Sequence, residues 1–147
     1  MPAKEGPNMK ILVPVDGSAY SLKAVETACD LAKAQAPATL VLTAVAIQMP
    51  MLEEGAYIAE KMKVLAEAAL VKAKEVAQGK GVTPAVILAT GASPADEIVR
   101  VAKDQQADLI VIGSRGLAGK TRSFLGSTAS QVVTYSPCSI LVVKTQD

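Results

Sequence analysis

The sequence predicts a single α/β domain, an open, doubly wound parallel sheet with helices on both faces. Three observations predict it. Short apolar segments rich in β-branched residues alternate with longer segments of helical period along the 147 residues. The apolar segments are continuous, which is typical of strands buried on both faces of a parallel sheet. The helical segments between them are long enough to be right-handed parallel crossovers.

Five strands are predicted, with four helices between them in the order βαβαβαβαβ. The strands lie at residues 11–15, 39–47, 85–88, 109–112 and 140–143. The segment before them, residues 1–8, is expected to be a flexible N-terminal extension. We therefore expect one domain spanning residues 9–147, without a linker or an internal repeat.

Apolar residues at helical spacing predict one buried face on each helix. The stripes are Leu22, Val25, Cys29 and Ala32; Ile58, Met62, Leu65, Ala69, Ala73 and Val76; Ile98, Val101 and Ala102; and Ala129, Val132 and Val133. Ser93 is expected to cap the third helix, with Pro94 at its first position. Gly79 and Gly81 are expected to end the second helix.

Composition excludes several classes of function. The sequence has no His, so it supplies no His-based triad, general base or metal site. A net charge of +1, three Tyr and one Phe argue against a nucleic-acid binder. Cys29 and Cys138 are expected to be buried, reduced thiols. The N-terminus has no apolar signal segment and no apolar run reaches about 18 residues, so we expect a cytoplasmic protein without a membrane partner.

Two candidate site residues end the first strand. Ligands of doubly wound sheets bind at the carboxyl ends of the strands, where Asp16 lies. Its carboxylate can bind a ribose, a base or a metal, or it can be a turn residue that bonds its own backbone. Pro14 cannot donate to a strand ladder, so it fits where pairing ends beside a site. Ser18 is expected to cap the first helix.

The segment from Gly113 to Thr128 follows the fourth strand and is rich in glycine and cations. It holds four glycines, three cations and four hydroxyl residues before Thr128. Glycines let backbone N–H groups approach an anion, and the following helix adds its positive dipole end. The alternative is a flexible loop whose basic residues face water. Gly119-Lys120-Thr121 resembles the end of a Walker A loop, but Ser114 replaces the glycine that this motif requires.

These residues resemble a known family. Gly113-x-x-Gly116, nine further residues and then Gly126-Ser127 match the G-2x-G-9x-G-(S/T) motif of the ATP-binding branch of the universal stress protein family. Residues 10–18 resemble that family's first strand and turn, and residues 91–98 resemble the entry to its third helix. Residues 107–113 and 136–143 are similar to its last two strand regions. The resemblance covers residues 9–144.

The resemblance implies strand order 3-2-1-4-5 and a bound adenine nucleotide, ATP or another, with or without Mg²⁺. Asp16 and the backbone of Pro14 and Val15 would hold the adenosine, and Val45 would meet the adenine through its backbone. The remaining binding residues would be Ile112, Gly113, Arg115, Gly116, Gly126, Ser127 and Thr128. The resemblance also implies a homodimer through the last strand, Ser139 to Lys144, whose apolar edge invites pairing.

Three hypotheses of function remain. The first is a regulatory, stress-response protein that binds ATP and holds its phosphates with residues 113–127. The second is a slow ATP hydrolase or another adenylate-handling enzyme. The third is a nucleotide-independent, dimeric interaction module. No catalytic residue and no metal ligand are assigned, and we expect at most weak ATP hydrolysis, because Asp16 is the one carboxylate placed near the site.

Overall fold

The computed structural model describes residues 8–48, 55–116 and 125–145. Five strands form one parallel sheet in the order β3-β2-β1-β4-β5. The strands are β1 (Met9–Pro14), β2 (Ala38–Ile47), β3 (Ala85–Gly91), β4 (Leu109–Gly113) and β5 (Ser139–Val143). The helices are α1 (Ala19–Ala34), α2 (Gly55–Gly79), α3 (Pro94–Asp104) and α4 (Ser127–Tyr135). The predicted fold class and strand order are confirmed.

The described ranges leave out most of the predicted N-terminal extension. Of residues 1–8, only Asn8 is described, and its side-chain oxygen accepts a 3.3 Å hydrogen bond from Thr39 Oγ1. Within the described part of the chain, no helix combines the length and the apolar character needed to cross a membrane.

The sheet separates two apolar layers. Ile11 and Val13 of β1 pack in the layer of α1 and α2, whereas Leu12 packs in the layer of α3 and α4. The prediction of strands buried on both faces is confirmed for the central strands β1, β2 and β4. It is wrong for β3 and β5, where Val86 and Leu141 are 44% and 38% exposed. Both strands lie at an edge of the sheet, and a local apolar pattern does not reveal an edge.

The predicted helix ends are confirmed. Ser18 caps α1, since its side chain accepts a 3.1 Å hydrogen bond from the Ser21 N–H. Ser93 accepts a 3.3 Å bond from the Asp96 N–H and is followed by proline at the first helical position. The second helix ends at Gly79, and Gly81 has φ +81°, a conformation that favours glycine.

Some predicted buried positions are wrong. In α2, Ala69 and Ala73 are buried as expected, but Ile58 and Leu65 are exposed. The buried face of this helix begins only at Ala66; of the earlier apolar positions, Met62 and Leu65 line a cavity and Ile58 does not. Val133 of α4 is also exposed, since this short helix packs on α3 and buries only Ala129 and Val132.

The two cysteines differ in burial. Both are free thiols, as expected. Cys29 is fully buried in the layer of α1 and α2. Cys138 is half-buried, so the prediction of burial is wrong for this residue, which precedes the edge strand β5.

The sheet opens between β1 and β4 at its carboxyl edge. These strands pair only through Ile11 with Leu109 and Leu12 with Ile110. By contrast, β1 stays paired with β2 as far as Pro14, and β4 stays paired with β5 along its whole length. The opening therefore separates two paired halves of the sheet, at the point where the strand order reverses.

Pro14 lies on the side of β1 where this pairing has stopped. The Asp108 N–H donates to Lys10 O at 2.9 Å, so the even-numbered peptide groups of β1 face β4. At position 14 the group facing β4 would be an N–H, and proline has none. The expectation that Pro14 lies where strand pairing ends is confirmed.

Candidate functional site

A cavity of about 760 Å³ lies at this opening. Its floor comes from the ends of β1, β2 and β4, and its walls come from α2, α3 and the start of α4. Its volume is typical of small-molecule sites, and ligands of doubly wound sheets bind at this position. The binding residues expected from the sequence all line it: Pro14, Val15, Asp16, Val45, Ile112, Gly113, Arg115, Gly116, Gly126, Ser127 and Thr128.

Two backbone hydrogen bonds assemble the glycine-rich part of the cavity. The Gly126 N–H donates to Ser114 O at 2.7 Å and so joins residues 113–116 to residues 125–128. The Ser114 N–H in turn donates to Val143 O at 2.9 Å, which ties this turn to β5. The intervening segment, with the cations Lys120 and Arg122, lies outside the described residues.

The N-terminus of α4 faces the cavity. Gly126 is its N-cap residue, and among the described residues no side chain caps this end of the helix. The first turn, from Ser127 to Ser130, lines the cavity wall. Uncapped N–H groups at the positive end of a helix dipole attract anions, phosphate among them. This wall is therefore suited to a phosphate group.

Two glycines permit close approaches that a larger residue would prevent. A Cβ on Gly113 would lie 2.8 Å from Tyr20 O, so glycine here lets the start of α1 pack against the end of β4. A Cβ on Gly116 would lie 2.5 Å from Asp16 Oδ2. The first approach is to the backbone, whereas the second is to the end of an exposed side chain.

Asp16 makes the contact expected of a turn residue and also borders the cavity. Its Oδ1 accepts a 2.9 Å hydrogen bond from the Ser18 N–H, as expected of a turn residue. Its Oδ2 meanwhile lies beside Gly116 and the cavity. Among the described residues that line the cavity, only Asp16 and Arg115 carry a charge. The charged side chains are thus gathered at the glycine-rich end.

The other end of the cavity offers a backbone donor and acceptor at Val45. The Val15 N–H donates to Thr43 O at 2.8 Å, so the peptide groups of Thr43 face β1. The Gln48 N–H donates to Gly91 O at 2.9 Å, so the peptide groups of Gln48 face β3. Because strand peptide groups alternate in direction, the N–H and C=O of Val45 face the side of β1, which has already ended.

Several lining residues were missed by sequence reasoning. Met62, Leu65 and Ala66 of α2 line the cavity, as do Pro94 and Ile98 on the other face of the sheet. The apolar stripe of α2 predicts a face that is buried in the core along its whole length. A signal was present, since its first positions are Ile, Met and Leu whereas its later ones are mostly Ala.

Comparison with known proteins identifies the family. Residues 7–144 match the model of the universal stress protein family. The chain belongs to this family. It is 36% identical over 147 residues to the universal stress protein MJ0531 of Methanocaldococcus jannaschii, an alignment that covers 96% of this chain and 86% of that protein.

Solved structures of universal stress proteins have the same fold. UspA from Lactobacillus plantarum is similar with a TM-score of 0.81 and 25% identity, covering 95% of this chain and 99% of that one. A universal stress protein crystallised in complex with cAMP is similar with a TM-score of 0.72 and 27% identity, covering 96% and 100%. The family expected from the glycine spacing is thus confirmed for this universal stress protein.

Proposed function

We propose that this universal stress protein binds an adenine nucleotide, with ATP as the first candidate, and acts through its occupancy in a stress response. The observation that carries the proposal is one cavity with two suitable ends. Val45 offers a backbone donor and acceptor at one end, and the uncapped start of α4 lies at the other. The related protein solved with cAMP supports an adenine nucleotide as the ligand class.

Each part of the nucleotide has a chemical counterpart in the cavity. Adenine presents an acceptor at N1 beside a donor at N6, which complement the N–H and C=O of Val45. The phosphates match the glycine-rich turn, the start of α4 and the guanidinium of Arg115. The ribose falls between them, beside Asp16 and the ends of Pro14 and Val15.

Mg²⁺ would bind together with the nucleotide. Among the described residues, no three His, Cys, Asp or Glu side chains come together as a metal site. Mg²⁺ commonly uses one or two protein carboxylates plus substrate phosphates, so a complete protein cage is not required. Asp16, with Oδ2 beside Gly116, fits as one such ligand. The ion would supply charge neutralisation at the phosphates.

We propose that hydrolysis is weak at most. General acid–base chemistry needs a positioned proton acceptor, and the described cavity residues include no carboxylate besides Asp16. The sequence contains no His that could take this role. Multiple-turnover ATPase activity that Asp16→Ala abolishes would contradict this and would favour the hydrolase hypothesis.

We also propose that the protein is a cytoplasmic homodimer joined through β5. The strand order leaves β5 with one unpaired side, and exposed Leu141 lies on it. An apolar edge strand is a template for pairing with a second copy. A dimer of this kind leaves the opening between β1 and β4 accessible, because β4 and β5 lie together on one side of it.

Nucleotide titration tests the proposed ligand, with ITP as a matched analogue. ITP differs from ATP at position 6, where an oxygen replaces the amino group, and its N1 carries a proton. Donor and acceptor are therefore exchanged opposite Val45, and we expect ITP to bind about tenfold more weakly or worse. Calorimetry with ATP, ITP, AMP and cAMP, with and without Mg²⁺, measures the order of affinities.

Two results would contradict the proposal in different ways. Equal affinity for ATP and ITP would show that Val45 does not select the base. If none of the nucleotides saturates the protein, the nucleotide-independent interaction module becomes the favoured hypothesis. Mass spectrometry of nucleotide released from the denatured protein identifies any ligand that co-purifies.

A further inference from the structure

We propose that Leu65 of α2 is a specificity-determining residue of the cavity, forming with Met62 the apolar wall against which the base of the ligand packs. The inference rests on the proposed function, because it concerns how the same cavity distinguishes a nucleotide from its phosphates alone. It assigns a binding role to a helix that the expected set of binding residues does not include.

Leu65 is a large aliphatic residue that is exposed and yet lines the cavity. It is 58% exposed, while Val64 and Val71 on the same helix are 56% and 58% exposed. Neither valine lines the cavity. The three residues therefore have similar exposed fractions. Of the three, only Leu65 lies where a ligand in the cavity would cover it.

Helix geometry sets Leu65 beside the other lining residues of α2. Met62 and Ala69 lie three positions before and four positions after it, on the same face of the helix. Ala66 and Ala69 are buried small residues. This part of the wall is therefore recessed, while Met62 and Leu65 contribute longer side chains nearer the exposed end of the helix.

Leu65 belongs to a helix that packs on β2, and the cavity lining that these two elements contribute is mostly apolar. Val45 and Ile47 of β2 lie on the floor, and Ile98 of α3 lies on the other face of the sheet. The charged residues Asp16 and Arg115 belong to the glycine-rich end. A flat base can therefore place its edge on the backbone of Val45 and its face on Leu65, which adds apolar burial to hydrogen bonding.

This arrangement makes a specific prediction about which ligands lose affinity. Truncating Leu65 removes apolar contact to the base and leaves the start of α4 unchanged. We expect Leu65→Ala to weaken ATP binding about five- to twentyfold. Inorganic tripolyphosphate, which has no base, is expected to bind Leu65→Ala as it binds the wild type.

Matched variants separate this role from a general effect on the helix. Val64→Ala and Val71→Ala shorten equally exposed residues of α2 outside the cavity, and we expect both to keep ATP affinity within about twofold of the wild type. Leu65→Met restores the apolar length and should recover most of the affinity. Thermal unfolding should give the same midpoint for all variants, because the substituted side chains are largely exposed.

The outcomes distinguish failure of this inference from failure of the proposed function. Saturable ATP binding by the wild type with no larger effect in Leu65→Ala than in Val64→Ala would overturn the inference alone. An equal loss of affinity for ATP and tripolyphosphate in Leu65→Ala would overturn it as well. If the wild type binds no nucleotide, the proposed function fails, and the base-dependent role of Leu65 fails with it.

Discussion

The carboxylate of Asp16 lies so close to the backbone of Gly116 that any residue other than glycine at position 116 would force the Asp16 side chain to move. A Cβ at position 116 would lie 2.5 Å from Asp16 Oδ2. Asp16 ends the first strand region and Gly116 follows the fourth, so the contact crosses the opening of the sheet. It places a carboxylate and a glycine backbone on the same side of the cavity.

Gly116→Val is expected to impair ligand binding more than folding. The added side chain meets the end of the exposed Asp16 side chain, which can rotate away at small cost in stability. It also fills space beside the turn that is proposed to bind phosphate, so we expect ATP affinity to fall about tenfold or more. Titration of fluorescent ATP measures the affinity, and urea unfolding measures the stability. Equal ATP binding by wild type and variant would show that the site is placed wrongly.

Gly113→Ala is expected to impair folding instead. Its Cβ would lie 2.8 Å from Tyr20 O and 2.9 Å from Tyr20 C, which are backbone atoms that cannot turn aside. We expect the free energy of unfolding to fall by about 2–3 kcal/mol, the usual range for overpacking a tight site. Urea unfolding measures it, with Gly79→Ala as the control.

Gly79 is a suitable control because a Cβ there would meet no heavy atom within 4 Å. As the last residue of α2, it should tolerate alanine with no loss of stability. If Gly113→Ala and Gly79→Ala gave the same free energy of unfolding, the close packing of α1 on β4 would be refuted.

Leu141→Lys is expected to separate the proposed dimer. A charge on the exposed edge of β5 opposes pairing with a second copy. Sedimentation should give about twice 15.1 kDa for the wild type and 15.1 kDa for the variant. Val86→Lys places the same charge on β3, the opposite edge strand, and should leave the mass unchanged. A wild type that sediments as a monomer at micromolar concentration would refute the dimer.

The two thiols are expected to differ in reactivity. Burial raises the pKa of the Cys29 thiol, which lowers its thiolate fraction at a given pH, and the described part of the chain leaves none of this residue exposed. Cys138 is half-buried, with Sγ 3.7 Å from Ser136 Oγ. A thiol reagent at pH 8 should therefore modify Cys138 in the native protein and Cys29 only after unfolding. Rapid modification of native Cys138→Ser would contradict this.

The parts of the site that depend on local chemistry could be predicted from the sequence. The spacing of Gly113, Gly116 and Gly126 predicts a glycine-rich turn at the end of β4, and these residues line the cavity, whereas Ser18 and Ser93 have the residue types and positions of helix caps. Such features depend on a few neighbouring residues, so a sequence pattern is sufficient to find them.

The parts of the fold and the site that depend on contacts between distant segments could not be predicted from local sequence patterns. Helical periodicity placed Leu65 on an apolar face but could not show that the core begins only at Ala66. The local apolar pattern alone predicts that Val86 and Leu141 are buried, whereas their edge positions follow from the order of strands, which the family resemblance implied and the strand patterns did not. The peptide groups of Val45 face the cavity only because of the register between β1 and β2.

Pro14, the residue that ends β1, affects whether β1 and β4 can pair further and close the cavity. At most positions of a central strand, the backbone N–H forms a hydrogen bond with the neighbouring strand. If it cannot, the buried donor stays unsatisfied, which costs free energy. Pro14 presents no N–H toward β4, so at this position a closer approach of β1 and β4 would gain no hydrogen bond donated by β1. The missing donor therefore favours an opening between β1 and β4 that is present before a ligand binds.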